Sequence, residues 1–271
     1  MSIETNIDFF DINFWFGENY LSEKYTLSEK KTSEVLLKRK EQKNIKFTLI
    51  SNFLSYFYDP EIGNNLTSDL IYRDEFKQAG ASGTLFMEQN CFFNPKVFDN
   101  WLKKKYEKGF RLLKILPRTH KYPFELSLFS TFYEILDSCN FPVMISIDEL
   151  DITGNKNIEW DKIAKIADLY ENMPIIIDGG QSKELMYNCY LLSLLNNTSN
   201  VYIETHNLLG FNQIEDLAKF GGADRLIFGS YQPFFDDSLA VSRIINSGLD
   251  LKDKNKIALL NFKNIIDNII I

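Results

Sequence analysis

Several side chains able to bind or release protons lie at the ends of short apolar runs in this sequence. They include one lysine, several carboxylates and a phenol. In a half-enclosed site such groups acquire shifted pKa values suited to proton transfer. The set comprises Lys114, Asp148, Asp178, Glu204, His206 and Tyr231.

The last of these runs shows how the residues would be positioned. Three apolar residues, Leu226 to Phe228, predict a short buried strand that ends at Gly229. Because Pro233 prevents the strand from continuing, we expect Ser230 to Gln232 to form a loop at its carboxyl end. In α/β proteins, functional residues collect at that end of the strands.

The whole chain repeats this arrangement. Apolar runs alternate with helix-like segments, which predicts an α/β protein with a (β/α)8 TIM-barrel fold, forming a single domain over residues 1–271. Asp59-Pro60 and the Gly63 to Asn65 stretch predict a long loop, and Lys183 to Leu195 predicts a helix. The predicted strands cover 7–17, 44–53, 84–91, 109–117, 142–148, 173–180, 200–206 and 225–229.

Composition limits the classes of partner. A net charge of −7 and the lack of basic runs interleaved with aromatics argue against nucleic acid. Lysine-rich runs at 38–40 and 103–105 are interpreted as solvated helix faces. No signal peptide opens the chain and no apolar stretch is long enough to span a bilayer, so we expect a cytoplasmic protein that binds no membrane. A small-molecule ligand is the expected partner, and homo-oligomers are compatible with the sequence.

Cysteine usage gives no motif. Cys91, Cys139 and Cys189 are far apart, and none forms a C-x-x-C pair. They are therefore expected to be buried free thiols.

Three stretches resemble the amidohydrolase-related family. They are G-G-A-D-R-L-I-F-G-S-Y-Q-P at 221–233, G-F-R-L-L-K-I-L-P at 109–117 and N-V-Y-I-E-T-H at 200–206. Members of that family are (β/α)8 barrels that hydrolyse, hydrate or decarboxylate small substrates, usually with one divalent metal. The resemblance implies the same barrel here and the same kind of site at the carboxyl ends of its strands.

The metal ligands implied by the resemblance are mostly replaced. Where the family has histidines at the ends of strands one and five, this chain has Asn13, Trp15 and Ser146, and Tyr231 takes the place of the catalytic aspartate. Only Asp178 is a strong ligand. We therefore expect no metal cofactor, with zinc not favoured. A relocated metal site using His120 or His206 is the alternative.

These observations lead to a site hypothesis. The residues expected to be catalytic are Lys114, Asp178, Glu204 and Tyr231, and those expected to bind substrate are Asn13, Trp15, Ser146, Asp148 and His206. Their plain alternatives are an ion pair for Lys114, a loop cap for Asp178 and mouth packing for Trp15.

Three functions fit this set. The chain is a hydrolase or lyase that works without the family metal, a catalytically inactive barrel that binds a ligand or partner, or a metal hydrolase with displaced ligands.

Overall fold

A computed structural model describes residues 7–122, 124–150, 159–180 and 189–271. Eight parallel strands form one sheet in sequence order, each paired with the next. The strands are β1 (Phe9–Phe16), β2 (Ile45–Asn52), β3 (Ala81–Phe86), β4 (Phe110–Ile115), β5 (Val143–Ser146), β6 (Ile175–Asp178), β7 (Val201–Glu204) and β8 (Leu226–Ile227).

Contacts between the first and last strands complete the barrel. The amide of Ile12 donates to the carbonyl of Phe228 at 3.3 Å, and the amide of Trp15 donates to the carbonyl of Gln232 at 2.7 Å. Phe14 pairs with Gln232 in the parallel sense. The predicted TIM barrel is therefore confirmed.

Helices surround this sheet and follow each strand. They are α1 (Glu29–Gln42), α2 (Phe53–Phe57), α3 (Pro60–Ile71), α4 (Asp74–Gln78), α5 (Pro95–Glu107), α6 (Pro117–His120), α7 (Leu126–Ser138), α8 (Ile147–Leu150), α9 (Trp160–Leu169), α10 (Cys189–Asn197), α11 (Gln213–Leu217), α12 (Asp237–Ile245), α13 (Leu251–Asn255) and α14 (Asn261–Asp267). The predicted helix over Lys183 to Leu195 is seen from Cys189 onward, and its residues 183–188 lie outside the described chain.

The barrel interior is packed in two zones. In the first zone, buried side chains from six of the strands pack against Phe262 and Ile265 of α14, which close the amino end of the barrel. At the carboxyl end Trp15, Phe53, Phe86, Leu116 and Tyr231 form a separate buried cluster. The polar residues of the mouth are consequently held between two apolar layers.

A register irregularity in β1 sets which side chains face the mouth. Asp11 pairs with Thr48 and Phe14 pairs with Ile50, so β1 has one more residue than β2 across this interval. Phe10 and Ile12 pack in the lower interior, whereas Trp15 packs in the upper interior. The bulge therefore lets Asn13 and Trp15 point inward directly after Ile12.

Several local predictions are corrected by the fold. The proposed loop at Gly63 to Asn65 is part of α3, because Asp59 caps that helix by accepting from the amide of Glu61 at 2.8 Å and Pro60 occupies its first turn. Cys91 and Cys139 are buried as predicted, but Cys189 is exposed.

The lysine-rich runs are not simply solvated. Arg39 and Lys105 are both buried, the first between Asp11 and Asp237 and the second 2.7 Å from Glu88. Each of these two cations is paired with a buried carboxylate. A run of positively charged residues in the sequence does not show which member is buried in this way.

No helix in these described ranges is both long and apolar enough to cross a membrane.

Candidate functional site at the barrel mouth

A buried ion pair joins β4 to β6 at the mouth. Lys114 Nζ donates to Asp178 Oδ2 at 2.7 Å, and both side chains are almost completely buried. The other carboxylate oxygen of Asp178 accepts from the amide of Gly180 at 2.7 Å. The ion pair and the loop cap that the sequence offered as plain alternatives are thus both present.

A second buried pair lies at the end of β7. Glu204 Oε1 accepts from the backbone amide of His206 at 2.7 Å, while Glu204 Oε2 contacts His206 Nδ1. The other ring nitrogen, Nε2, lies 2.9 Å from the carbonyl oxygen of Gly180. Nδ1 thus faces a carboxylate oxygen and Nε2 faces a carbonyl oxygen, an arrangement that favours the doubly protonated ring of His206.

Asn13 and Trp15 of β1 connect the two pairs. Asn13 Nδ2 donates to Glu204 Oε2 at 3.1 Å, and Trp15 Nε1 donates to Asn13 Oδ1 at 3.1 Å. The ammonium of Lys114 lies 4.9 Å from the centroid of the Trp15 ring. The contacts above, together with the electrostatic interaction between Asp178 and His206, link six residues around the mouth. This set, called the charged ring below, comprises Lys114, Asp178, His206, Glu204, Asn13 and Trp15.

Tyr231 covers the charged ring. Its phenol ring stacks on the imidazole of His206 with centroids 4.3 Å apart and planes 15° apart. Phe234 and Phe235 pack against Tyr231 in turn, at 4.9 and 5.8 Å. Tyr231 is 7% exposed and has a φ of 55°, a conformation that non-glycine residues seldom adopt. Strained backbone of this kind is found disproportionately at functional sites.

Glycines leave the space that these carboxylates occupy. A Cβ on Gly229 would lie 2.1 Å from Glu204 Oε1, so the carboxylate packs directly on the glycine backbone. A Cβ on Gly180 would lie 2.1 Å from Asp148 Oδ2 and 2.4 Å from Ser146 Oγ. Ser146 and Asp148 are therefore beside Gly180, at the same end of the barrel as the charged ring.

Electrostatic interactions within the charged ring shift two pKa values. Burial alone would raise the pKa of Asp178, but the positive charges of Lys114 and His206 outweigh it and the pKa lies below its ordinary value. Burial alone would lower the pKa of His206, but the carboxylates of Glu204 and Asp178 outweigh it and the pKa lies above its ordinary value. Both shifts favour the charged forms that the hydrogen bonds require.

The structure thus brings together all the predicted site residues. Their placement at the mouth follows the sequence prediction, while their catalytic and binding roles stay predictions. His120 lies apart from this set, with Nε2 3.2 Å from the carbonyl oxygen of Tyr56. Burial lowers the pKa of His120, in contrast to His206.

A second buried network on the outer side of β1 was missed from the sequence. Arg39 of α1 contacts Asp11 and lies 2.8 Å from Asp237 Oδ2, and Ser230 Oγ donates to Asp11 Oδ2 at 2.6 Å. Lys43 also contacts Asp237. Only the apolar surroundings of Asp11 within β1 could have suggested a buried carboxylate that needs a cation.

The donor groups of the mouth, as arranged, do not fit a divalent metal. Both carboxylate oxygens of Asp178 already accept hydrogen bonds, one from Lys114 and one from the Gly180 amide. Each ring nitrogen of His206 faces a protein oxygen and not an open position. Across the part of the chain that the structure describes, no three His, Cys, Asp or Glu side chains form a group able to hold an ion. A metal would have to displace the Lys114 ammonium or the imidazolium proton.

Comparisons with known proteins give matches of structure only. No family model and no curated protein matches the sequence. A dihydroxybenzoic acid decarboxylase from a Polaromonas species, with bound manganese and the inhibitor 2-nitroresorcinol, has a TM-score of 0.69 and 14% identity, covering 96% of this chain and 97% of its own. A 5-carboxyvanillate decarboxylase from Novosphingobium aromaticivorans, complexed with manganese, has a TM-score of 0.72 and 12% identity, with 97% of each chain covered.

A third neighbour is a Staphylococcus aureus protein assigned as an amidohydrolase. It has a TM-score of 0.68 and 12% identity, covering 96% of this chain and 100% of its own. Identities this low establish the fold rather than the activity.

These neighbours correct one expectation from the sequence. We inferred from the replaced histidines that the protein has no metal cofactor. Two decarboxylases with the same fold contain bound manganese, and this finding contradicts the inference. Metal dependence must consequently be tested in any assay. The chain has the fold of decarboxylase and amidohydrolase barrels, in agreement with the amidohydrolase-related family that its strand-end motifs resemble.

Proposed function

We propose that the barrel mouth performs acid–base chemistry of the hydrolase or lyase class on a small molecule. One observation carries this proposal: the buried ring of His206 is held between Glu204 and the Gly180 carbonyl, directly beneath Tyr231. The raised pKa of His206 favours the protonated ring, which is the form that acts as a general acid. Glu204 orients the ring and stabilises its charge.

Lys114 would bind the anionic part of the substrate. Its ammonium and the imidazolium both interact with Asp178, so two positive charges converge on one carboxylate. A substrate carboxylate could compete for these cations. The flat side chains of Trp15 and Tyr231 would pack against an aromatic ring.

The substrate class follows from this chemistry and from the neighbours. Both named decarboxylases act on aromatic acids with ring hydroxyl groups, and we extend that class to this chain. Loss of CO2 from such an acid requires one proton at the carbon atom that carried the carboxylate. His206 would supply that proton from Nε2, whose N–H would first have to leave the Gly180 carbonyl, and would regain one from solvent.

A direct assay can test this proposal. The purified protein would be incubated with 2,6-dihydroxybenzoate and 5-carboxyvanillate, each with and without added Mn²⁺, and loss of substrate absorbance followed. We expect turnover that falls by about 10²–10⁴-fold in His206→Gln, the usual contribution of a general acid. His120→Gln is the matched control because these are the two histidines of the chain, and it should retain activity. Equal activity in both variants would contradict the role of His206.

A binding protein without turnover is the second candidate. It is favoured by the internal pairing of the charged ring and by the packing of Trp15 against Phe53 at 5.5 Å, which fills the mouth with side chains. Calorimetry with the same two acids separates the candidates. Binding without consumption, in the presence and absence of Mn²⁺, would support this second reading.

A further inference from the structure

A separate cavity lies beside the mouth, between α2, α6 and α7. It has a volume of about 1060 Å³, and its walls combine aromatic and aliphatic side chains with polar ones. Small-molecule sites usually occupy about 300–1,000 Å³ and have such walls. The apolar lining residues are Phe57, Met87, Phe92, Tyr122, Leu128 and Phe132.

One end of this cavity carries hydroxyl groups in a defined arrangement. Thr119 Oγ1 donates to the buried carboxylate of Glu149 at 2.5 Å, and the backbone amide of Thr119 donates to the same carboxylate at 2.9 Å. The phenol oxygen of Tyr56 lies 3.5 Å from Thr119 Oγ1. Because the proton of Thr119 is directed at Glu149, Tyr56 can donate only its own proton to Thr119 Oγ1, which leaves the phenol oxygen of Tyr56 to accept from a ligand hydroxyl.

The protonation of Tyr56 is secured by its surroundings. Burial raises the pKa of this phenol, and the nearby carboxylate of Glu149 raises it further, while its contact with Thr119 acts in the opposite sense. Tyr56 therefore remains a hydrogen-bond donor at neutral pH. The amides of Gln89 and Asn90 add further donors and acceptors to the lining.

The cavity is distinct from the charged ring. None of the ring residues lines it, and Tyr56 packs edge to face against Trp15 at 5.9 Å, forming the wall between them. Charged lining residues are few and of mixed sign, with Asp59 and Glu61 at one part and Lys121 at another. This composition matches an uncharged ligand better than an anionic one.

We infer that this cavity is a binding site for a neutral aromatic molecule that carries a hydroxyl group. The apolar walls take the ring, and Tyr56 with Thr119 takes the hydroxyl. Binding here is independent of catalysis at the charged ring, so it is measured at equilibrium without turnover.

The probe is 2-naphthol, titrated calorimetrically into the whole protein. Leu128→Trp should weaken binding at least 10-fold, since Leu128 lines the cavity and is 65% exposed, leaving room for a larger ring to enter without disturbing the core. Leu239→Trp is the matched control, because Leu239 is a 60% exposed helical leucine that lines a different cavity. Its affinity should stay within twofold of the wild type.

Two further measurements complete the test. Tyr56→Phe removes the phenol oxygen that accepts from the ligand hydroxyl and should weaken 2-naphthol binding by about 2–12-fold. The anion 2-naphthoate should bind more weakly than 2-naphthol. Equal affinities in Leu128→Trp and the wild type, no measurable binding, or a loss produced instead by His206→Gln would overturn the assignment.

Discussion

Two buried charge networks lie on opposite faces of β1, and they differ in the cation at their centre. On the outer face, the Arg39 guanidinium contacts Asp11 and Asp237. On the inner face, Asn13 joins a ring centred on the Lys114 and His206 cations. Asp11 and Asn13 are two residues apart, and the bulge between them assigns one to each network.

The two networks differ in whether their cations can titrate near neutral pH. Arginine keeps its charge at every pH a folded protein meets, so the outer network can only hold α1, β1 and α12 together. The inner network contains His206, and histidine is the side chain whose ordinary pKa lies nearest neutral pH. β1 thus contacts an arginine clamp on one side and a network that includes a titratable histidine on the other.

The outer network should produce the largest loss of stability when broken. Arg39→Met leaves Asp11 without its cation and Asp237 with Lys43 alone. We expect a loss of about 3–5 kcal/mol in the free energy of unfolding, measured by urea denaturation. Lys38→Met is the control, because Lys38 is exposed one position earlier in α1, and it should change stability by less than about 0.5 kcal/mol. Similar effects of both variants would contradict the clamp.

The inner pair should show a measurable but smaller coupling. A double-mutant cycle of Lys114→Met and Asp178→Asn should give an interaction energy of about 1–3 kcal/mol, since the atoms are 2.7 Å apart and buried. Asp178 keeps the Gly180 amide and the nearby imidazolium in the single lysine variant, which limits the loss. Lys114→Met combined with Arg39→Met should be additive, because the two cations belong to separate networks. Additivity within the first pair would show that the ion pair contributes nothing.

The two histidines should give pH effects of opposite sign, and these are the smallest effects expected here. The pKa of His206 is raised in the folded state, so its contribution is complete below the ordinary value of 6.5 and is lost as pH rises through the folded pKa. The pKa of His120 is lowered, so its contribution is present above 6.5 and is lost as pH falls through the folded pKa.

Urea midpoints between pH 5 and 9 would check this prediction. His206→Gln should flatten the decline of stability on the alkaline side of 6.5, and His120→Gln should flatten the decline on the acid side. An alkaline decline that persists unchanged in His206→Gln would mean that the imidazolium is not the group responsible.

The barrel was predictable because its signal is local. Short apolar runs such as Ile175 to Ile177 alternate with amphipathic segments, and each strand is recognisable without knowledge of its neighbours. The strand-end positions of Lys114, Asp178 and Glu204 followed from the same pattern, since parallel strands bring their carboxyl ends to one side. The sequence predicts a loop at the first turns of α3 because Gly63 and Asn64 resemble turn residues. In the fold Asn64 bonds the backbone of Phe86 in β3 and Gly63 packs closely on Ser55, contacts that favour the helix.

Tertiary structure alone decided which polar and charged side chains are paired. Lys114 and Asp178 are 64 residues apart, Asn13 and Glu204 are 191 apart, and Arg39 and Asp237 are 198 apart. No periodicity links such positions, because their contact depends on closure of the whole barrel. The sequence determined that proton-binding side chains would collect at one end of eight strands. The fold decided that the ring of His206 lies beneath Tyr231 with an oxygen facing each nitrogen, because only closure of the barrel brings Glu204 and the Gly180 carbonyl to it.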